Sequence, residues 1–175
     1  SKKRCDFLET IITDISCEFA ADFSIQFEVE KCVQWNCDDR YHSLDPLFSY
    51  FFKTVPKGHA DIVIGLTCRK DMKGKYGISF YQEGYVLVRL MDDLSFFKKV
   101  LKHEICHLFG ATHVNNGDSL MDRFLKGNRI KRLNREIILL HRDRDFRGTR
   151  FPLVSHKLEK AAALYKEIAQ TNEKL

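Results

Sequence analysis

The sequence predicts an α/β (α+β) fold in which helices pack on a small mixed sheet and the second half is mainly helical or irregular. Three observations predict it. Apolar residues recur at helical spacing near both ends and in the middle of the chain, and one run, Asp61-Ile62-Val63-Ile64-Gly65-Leu66-Thr67, is short, branched and apolar on both faces. The order helix, strand, helix, strand, strand, helix is that of a layered α/β unit. At 175 residues and 44% hydrophobic content, one core in one domain (1–175) is expected.

The first helix is drawn by Leu8, Ile11, Ile12, Ile15 and Phe19, which form one apolar stripe. Ile25, Phe27 and Val29 then alternate with Gln26, Glu28 and Glu30, the period of a strand with one buried face. Asp45 and Pro46 supply an N-cap and first-turn proline for a second helix through Leu47, Phe48, Phe51 and Phe52, ending near Pro56 and Gly58. The 61–67 run is expected as the central strand, and strands over 76–81 and 85–90 follow, joined by a turn at Glu83-Gly84. Asp92 and Asp93 open a long helix from about Leu94 to Phe109. After an irregular stretch to about Leu133, one helix begins near Asn134 and carries Ile137, Ile138 and His141 on one side. The last helix is expected to bury a face of Leu158, Ala161, Ala162, Tyr165, Ile168 and Ala169 against the same domain.

Composition excludes several functions. No stretch approaches the ~18 apolar residues of a membrane helix, so no membrane span is expected, and Ser-Lys-Lys-Arg at the N-terminus lacks the apolar core of a signal peptide. Any signal or pro-segment is therefore expected to be absent from this chain. A net charge of +5 falls short of a nucleic-acid signature. The basic run Lys126, Arg129, Lys131, Arg132, Arg135, Arg142, Arg144, Arg147 and Arg150 is broken by Glu136 and Asp143 and reads as a solvated face. Six cysteines without a Cys-x-x-Cys pair argue against a thiolate zinc site. Cys5 and Cys17 sit ~18 Å apart on one helix and cannot pair with each other, so buried free thiols are the expectation.

The chemistry is concentrated in His103-Glu104-Ile105-Cys106-His107-Leu108-Phe109-Gly110-Ala111-Thr112-His113. Residues four apart share a helix face, so His103 and His107 can offer their imidazoles to one ion. Gly110 can take a left-handed conformation, end the helix and turn the chain so that His113 becomes the third ligand. Three neutral imidazoles leave a tetrahedral zinc one open position, the arrangement of a catalytic site, and zinc acidifies the water that fills it. Glu104, next to His103, is the candidate general base. By chance these five positions would match in so short a chain with a probability on the order of 10⁻⁴ or less.

Together with Ser119-Leu120-Met121, these residues resemble the metzincin clan of zinc peptidases, whose extended histidine motif is followed by a methionine turn. The resemblance implies a two-lobed domain, with an upper lobe of about 1–110 and a lower lobe of about 111–175. It implies one Zn2+ ion and a peptide or protein substrate, with Met121 as a hydrophobic floor and not a ligand. It also implies an antiparallel edge strand above the cleft, here Gly77, Ile78, Ser79, Phe80 and Tyr81, which a bound peptide could extend by strand addition. The interval from His113 to Met121 and the strand at Ala60-Asp61-Ile62-Val63 look like archaemetzincins, but the second-zinc cysteines of that family are replaced by Val114 and Ser119. Where astacin-like relatives carry a metal-facing tyrosine, this chain has Arg123, which is expected to face solvent.

The resulting expectation is a zinc metalloendopeptidase. The alternative is a catalytically inactive zinc-containing module that binds peptides or anions. Clan habit favours an exported protein, whereas the archaemetzincin likeness and the cysteines favour the cytoplasm; export is the expectation. Oligomeric state is not legible in the sequence.

Overall fold

A computed structural model describes residues 2–115, 117–147 and 153–173; Arg150 of the basic run lies outside them. The chain forms α1 (Lys2–Phe23), α2 (Leu44–Thr54), β1 (Val63–Thr67), β2 (Gly77–Phe80), β3 (Tyr85–Arg89), α3 (Leu94–Leu108), α4 (Arg132–His141) and α5 (Ser155–Glu173). It is a mixed α/β domain of five helices and one small mixed sheet. No described helix is long and apolar enough to cross a membrane.

The sheet order is β1-β3-β2, with β3 parallel to β1 and antiparallel to β2. Period-two alternation divides β3 between two cores. Val86 and Val88 face a large cluster built with Ile15 and Phe19 of α1 and Phe97, Val100, Leu101 and Leu108 of α3. Tyr85 and Leu87 face α2, where Leu47, Phe48 and Phe51 close a second, aromatic cluster. Gly65 on β1 lets that layer approach, since a Cβ there would lie 2.6 Å from the Phe51 ring. A third cluster joins Ile137 of α4 to Leu164 and Ile168 of α5.

Five expectations need correction. Residues 25–30 keep the alternating burial of a strand but have no ladder partner. Instead Ile25, Phe27 and Val29 lie along α1, and the Phe27 N–H donates to Ser16 Oγ at 2.8 Å. The central strand is β3, not the 61–67 run: β1 is an edge strand, and the Trp35 indole caps part of its outer side by donating to the Leu66 carbonyl at 3.1 Å. Helix α2 starts at Leu44 with Ser43 at the N-cap, so Asp45 lies inside its first turn. Free buried thiols hold only for Cys106. Cys5 pairs with Cys32, because the segment after α1 folds back beside its first turns and brings the two Cα atoms to 5.9 Å, while Cys17 and Cys68 are exposed. Finally, α5 buries Ala161, Leu164 and Ile168, whereas Leu158, Ala162 and Ala169 face outward.

Candidate metal centre

Helix α3 is anchored by Asp93, whose side chain accepts from the Phe96 N–H and satisfies one of the orphan donors of the first turn. Its regular turn sets His103 above His107, with their Nε2 atoms 3.0 Å apart. The helix ends in a Schellman arrangement: the Gly110 N–H donates to the His107 carbonyl at 3.0 Å and the Ala111 N–H to the Cys106 carbonyl at 3.1 Å. Gly110 adopts φ +82°, and a Cβ there would meet Tyr165 Oη at 2.8 Å and His141 Cε1 at 3.0 Å. Conformation and space thus both require glycine at this bend.

Beyond the bend the chain returns, and His113 Nε2 arrives 3.1 Å from that of His103 and 3.2 Å from that of His107. The orientation of two rings is fixed from behind. His103 Nδ1 lies 2.8 Å from the Leu120 carbonyl and His107 Nδ1 2.7 Å from the Ala111 carbonyl. A carbonyl only accepts, so each Nδ1 carries the proton and each neutral ring turns a bare Nε2 lone pair inward. Burial keeps the rings neutral, lowering His103 to about 4 and His107 to about 3; His113 is lowered by burial and then by Arg123.

The Nε2 lone pairs of His103 and His107 face one another at 3.0 Å with no proton between them, and a cation relieves their repulsion. Two nitrogens bound to one tetrahedral zinc at about 2.0–2.1 Å lie about 3.3 Å apart. The observed separations of 3.0–3.2 Å are close to that spacing. His103, His107 and His113 therefore fit a metal ion, and among the described residues they form the group able to hold one. Imidazoles alone do not select the metal, since they also suit copper, iron and nickel.

Glu104 turns away from this triangle toward β2 and is buried. Ser79 Oγ donates to Glu104 Oε2 at 2.8 Å, and Gly77 leaves the space the carboxylate occupies, because a Cβ there would lie 2.6 Å from Glu104 Cγ. Burial pushes the Glu104 carboxyl up to about 7, against the lowering effects of the Ser79 hydrogen bond and the Lys75 charge.

Beside the histidines lies a cavity of about 380 Å³ whose walls include Ile78, Tyr81, Glu104, His107, His113 and Tyr165. Strand β2 borders it and pairs only with β3 among the described residues, so its other edge has no ladder partner. Of the strand residues singled out from sequence, Gly77, Ile78, Ser79 and Tyr81 line the cavity. Phe80 does not; it packs against Phe52 of α2, ring centroids 5.3 Å apart.

Met121 is fully buried and tied to the stretch of chain that carries His113: its carbonyl accepts from the Val114 N–H at 3.0 Å. Arg123 is exposed. The basic run is largely paired within the molecule, with Arg132 on Glu136 and Glu167, Arg135 on Asp22 and Arg147 on Asp61.

Several residues that build the site carry no sequence motif. Asn134, buried at the start of α4, brackets Thr112: its Oδ1 accepts from the Thr112 N–H and its Nδ2 donates to the Thr112 carbonyl, both at 2.9 Å. Tyr165 Oη donates to the Gly110 carbonyl at 2.8 Å, and Asn172 Nδ2 to the His113 carbonyl at 3.1 Å. The signal in the sequence is a tyrosine on an apolar helix face with Leu158, Ala161, Ala162, Ile168 and Ala169, which is too common to be read as a site. Comparison with protein-family models, with curated proteins and with solved structures returned no match.

Proposed function

We propose that this chain is a zinc-dependent metalloendopeptidase of metzincin type, with His103, His107 and His113 as zinc ligands and Glu104 as the general base. One observation carries the proposal: three imidazole nitrogens converge, and two of those rings, His107 and His113, line a cavity together with a buried carboxylate and an unpaired strand edge. Zinc, when bound, supplies Lewis-acid polarisation of a scissile carbonyl and acidifies water.

The protein groups have distinct tasks. The two carbonyls behind His103 and His107 hold the rings as Nδ1–H tautomers, so both Nε2 lone pairs stay available. Glu104 takes the proton of the attacking water and hands it to the leaving amine nitrogen, and the Ser79 hydroxyl holds its carboxylate in orientation. The outer edge of β2 offers backbone N–H and C=O groups to an extended peptide, which would lie across the cavity as an added strand. Met121 supports the turn that carries His113 without acting as a ligand. The Cys5–Cys32 bond favours an exported protein, since such bonds persist in oxidising compartments.

The test is cleavage of a peptide library by zinc-loaded protein, with and without a chelator, beside Glu104→Gln. The parent is expected to cleave and to stop on chelation. Glu104→Gln is expected to keep its zinc and to lose turnover by about 10³-fold, within the range for a positioned acid–base group. Zinc uptake without cleavage of any peptide would instead establish a binding module.

A further inference from the structure

The last helix is far from the histidine motif in sequence, yet its side chains hold the chain segment that carries the third ligand. Tyr165 Oη donates to the carbonyl of Gly110, the residue at which the chain bends. About two turns later in α5, Asn172 Nδ2 donates to the carbonyl of His113 itself, and Asn172 Oδ1 accepts from the Asn115 N–H at 2.8 Å. Asn115 Nδ2 closes the contact by donating to the Asn172 carbonyl at 3.2 Å. The segment from Gly110 to Asn115 is thus gripped at its start, at the ligand and just beyond it.

This segment has little of its own to hold it. It is neither helix nor ladder strand: the Schellman bonds and His107 Nδ1 hold Gly110 and Ala111, Asn134 brackets Thr112, and beyond His113 there is one bridge, from Val114 to Asp122. Helix α5 is in turn docked by Leu164 and Ile168 on Ile137, and by Glu167 on Arg132 of α4. We propose that α5 is a component of the metal centre: Tyr165 and Asn172 are positioning residues for His113, and metal occupancy and docking of α5 stabilise each other. The proposal rests on the reading of the three histidines as a metal site. Reciprocity follows from linkage, because a helix that favours the ligand-competent turn must itself be favoured when the ligand is engaged.

The experiment uses Co2+ as the metal, in the full chain, with Tyr165→Phe, Asn172→Asp and the double variant. Both changes nearly conserve volume. Tyr165→Phe removes only the bond to Gly110; Asn172→Asp keeps the acceptor for Asn115 but sets a carboxylate against the His113 carbonyl. Far-UV circular dichroism checks that each variant is folded. Each single variant is expected to bind Co2+ several-fold to about tenfold more weakly, the range set by one hydrogen bond. The visible Co2+ spectrum of the double variant is expected to shift toward that of His113→Ala, a signature of altered ligation that general destabilisation would not produce. In hydrogen exchange, Co2+ is expected to slow the amides of α5 in the parent but not in His113→Ala.

The two levels of the claim fail separately. A parent that takes up no Co2+ overturns the metal site and this inference with it. A parent that binds Co2+, with folded variants that match its affinity and spectrum and with α5 exchange indifferent to the metal, overturns this inference alone.

Discussion

Helix α3 and the segment from Gly110 to Asn115 serve the same three-histidine centre but are held by different forces. His103 and His107 are placed by the helix repeat, and α3 is locked along its length by Phe97, Val100, Leu101, Ile105 and Leu108, all 0–1% exposed. His113 stands on irregular chain whose carbonyls and N–H groups are met by Asn134, Tyr165 and Asn172 from two later helices. Backbone periodicity and apolar burial fix the first pair, whereas individual hydrogen bonds from remote side chains fix the third. Two of the candidate ligands are thus built into an element that forms with the core, and the third depends on helices from the far end of the chain.

The comparison can be broken most forcefully at His113 itself. Competition with a metal chelator should show that His113→Ala loses metal affinity by more than the about 10–100-fold that follows from losing an outer partner of a ligand. An unchanged affinity would mean that the irregular segment contributes nothing and that the centre belongs to α3 alone.

The next test removes the staple on the far side of the helix layer. The Cys5–Cys32 bond closes a loop of sequence separation 27, and the Cys5→Ser/Cys32→Ser variant should lose about 3 kcal/mol of stability in denaturant unfolding. Metal affinity measured under native conditions should be unaffected, because α3 remains held by its core. A joint loss of stability and affinity would show that the helix side is less self-sufficient than its packing implies.

A third substitution separates the carboxylate from the ligands. Gly77→Ala places a Cβ 2.6 Å from Glu104 Cγ, and a displacement of about 1 Å at a reacting group can cost about 10²-fold in rate. Peptide turnover should fall by about that factor while bound zinc, measured by atomic absorption, stays stoichiometric. Loss of zinc instead would place Glu104 among the groups that hold the ion.

The smallest effect is expected at Arg123, which is exposed beside the irregular segment. Arg123→Ala should change stability by no more than about 0.5 kcal/mol and turnover by less than about threefold. A large fall in turnover at constant substrate binding would assign it a role in the reaction.

What was legible in the sequence follows the range of the signals that carried it. Helix α3, its Asp93 cap and its glycine stop are local patterns, and they stand within a residue or two of where the spacing put them. Strands β2 and β3 and the turn between them were equally readable, because alternation and the Glu83-Gly84 turn need no distant partner. The segment 25–30 shows the limit of such patterns: its alternating burial is real, yet a strand also needs a neighbour, and here the neighbour is α1. The ranking of β1 as central failed for the same reason, since order within a sheet is not written in any one strand.

The three imidazoles, the adjacent carboxylate and the glycine bend are written in the local chain, because a helix repeat of 3.6 residues and the conformational freedom of glycine act within a single turn. The assembled fold sets the rest: which nitrogen of His103 and His107 faces inward, what grips the segment bearing His113, and which cysteine meets Cys5. The local His107–Ala111 contact aside, these contacts join residues 17 to 59 positions apart, and they exist only after apolar burial has brought the helices to their places around α3.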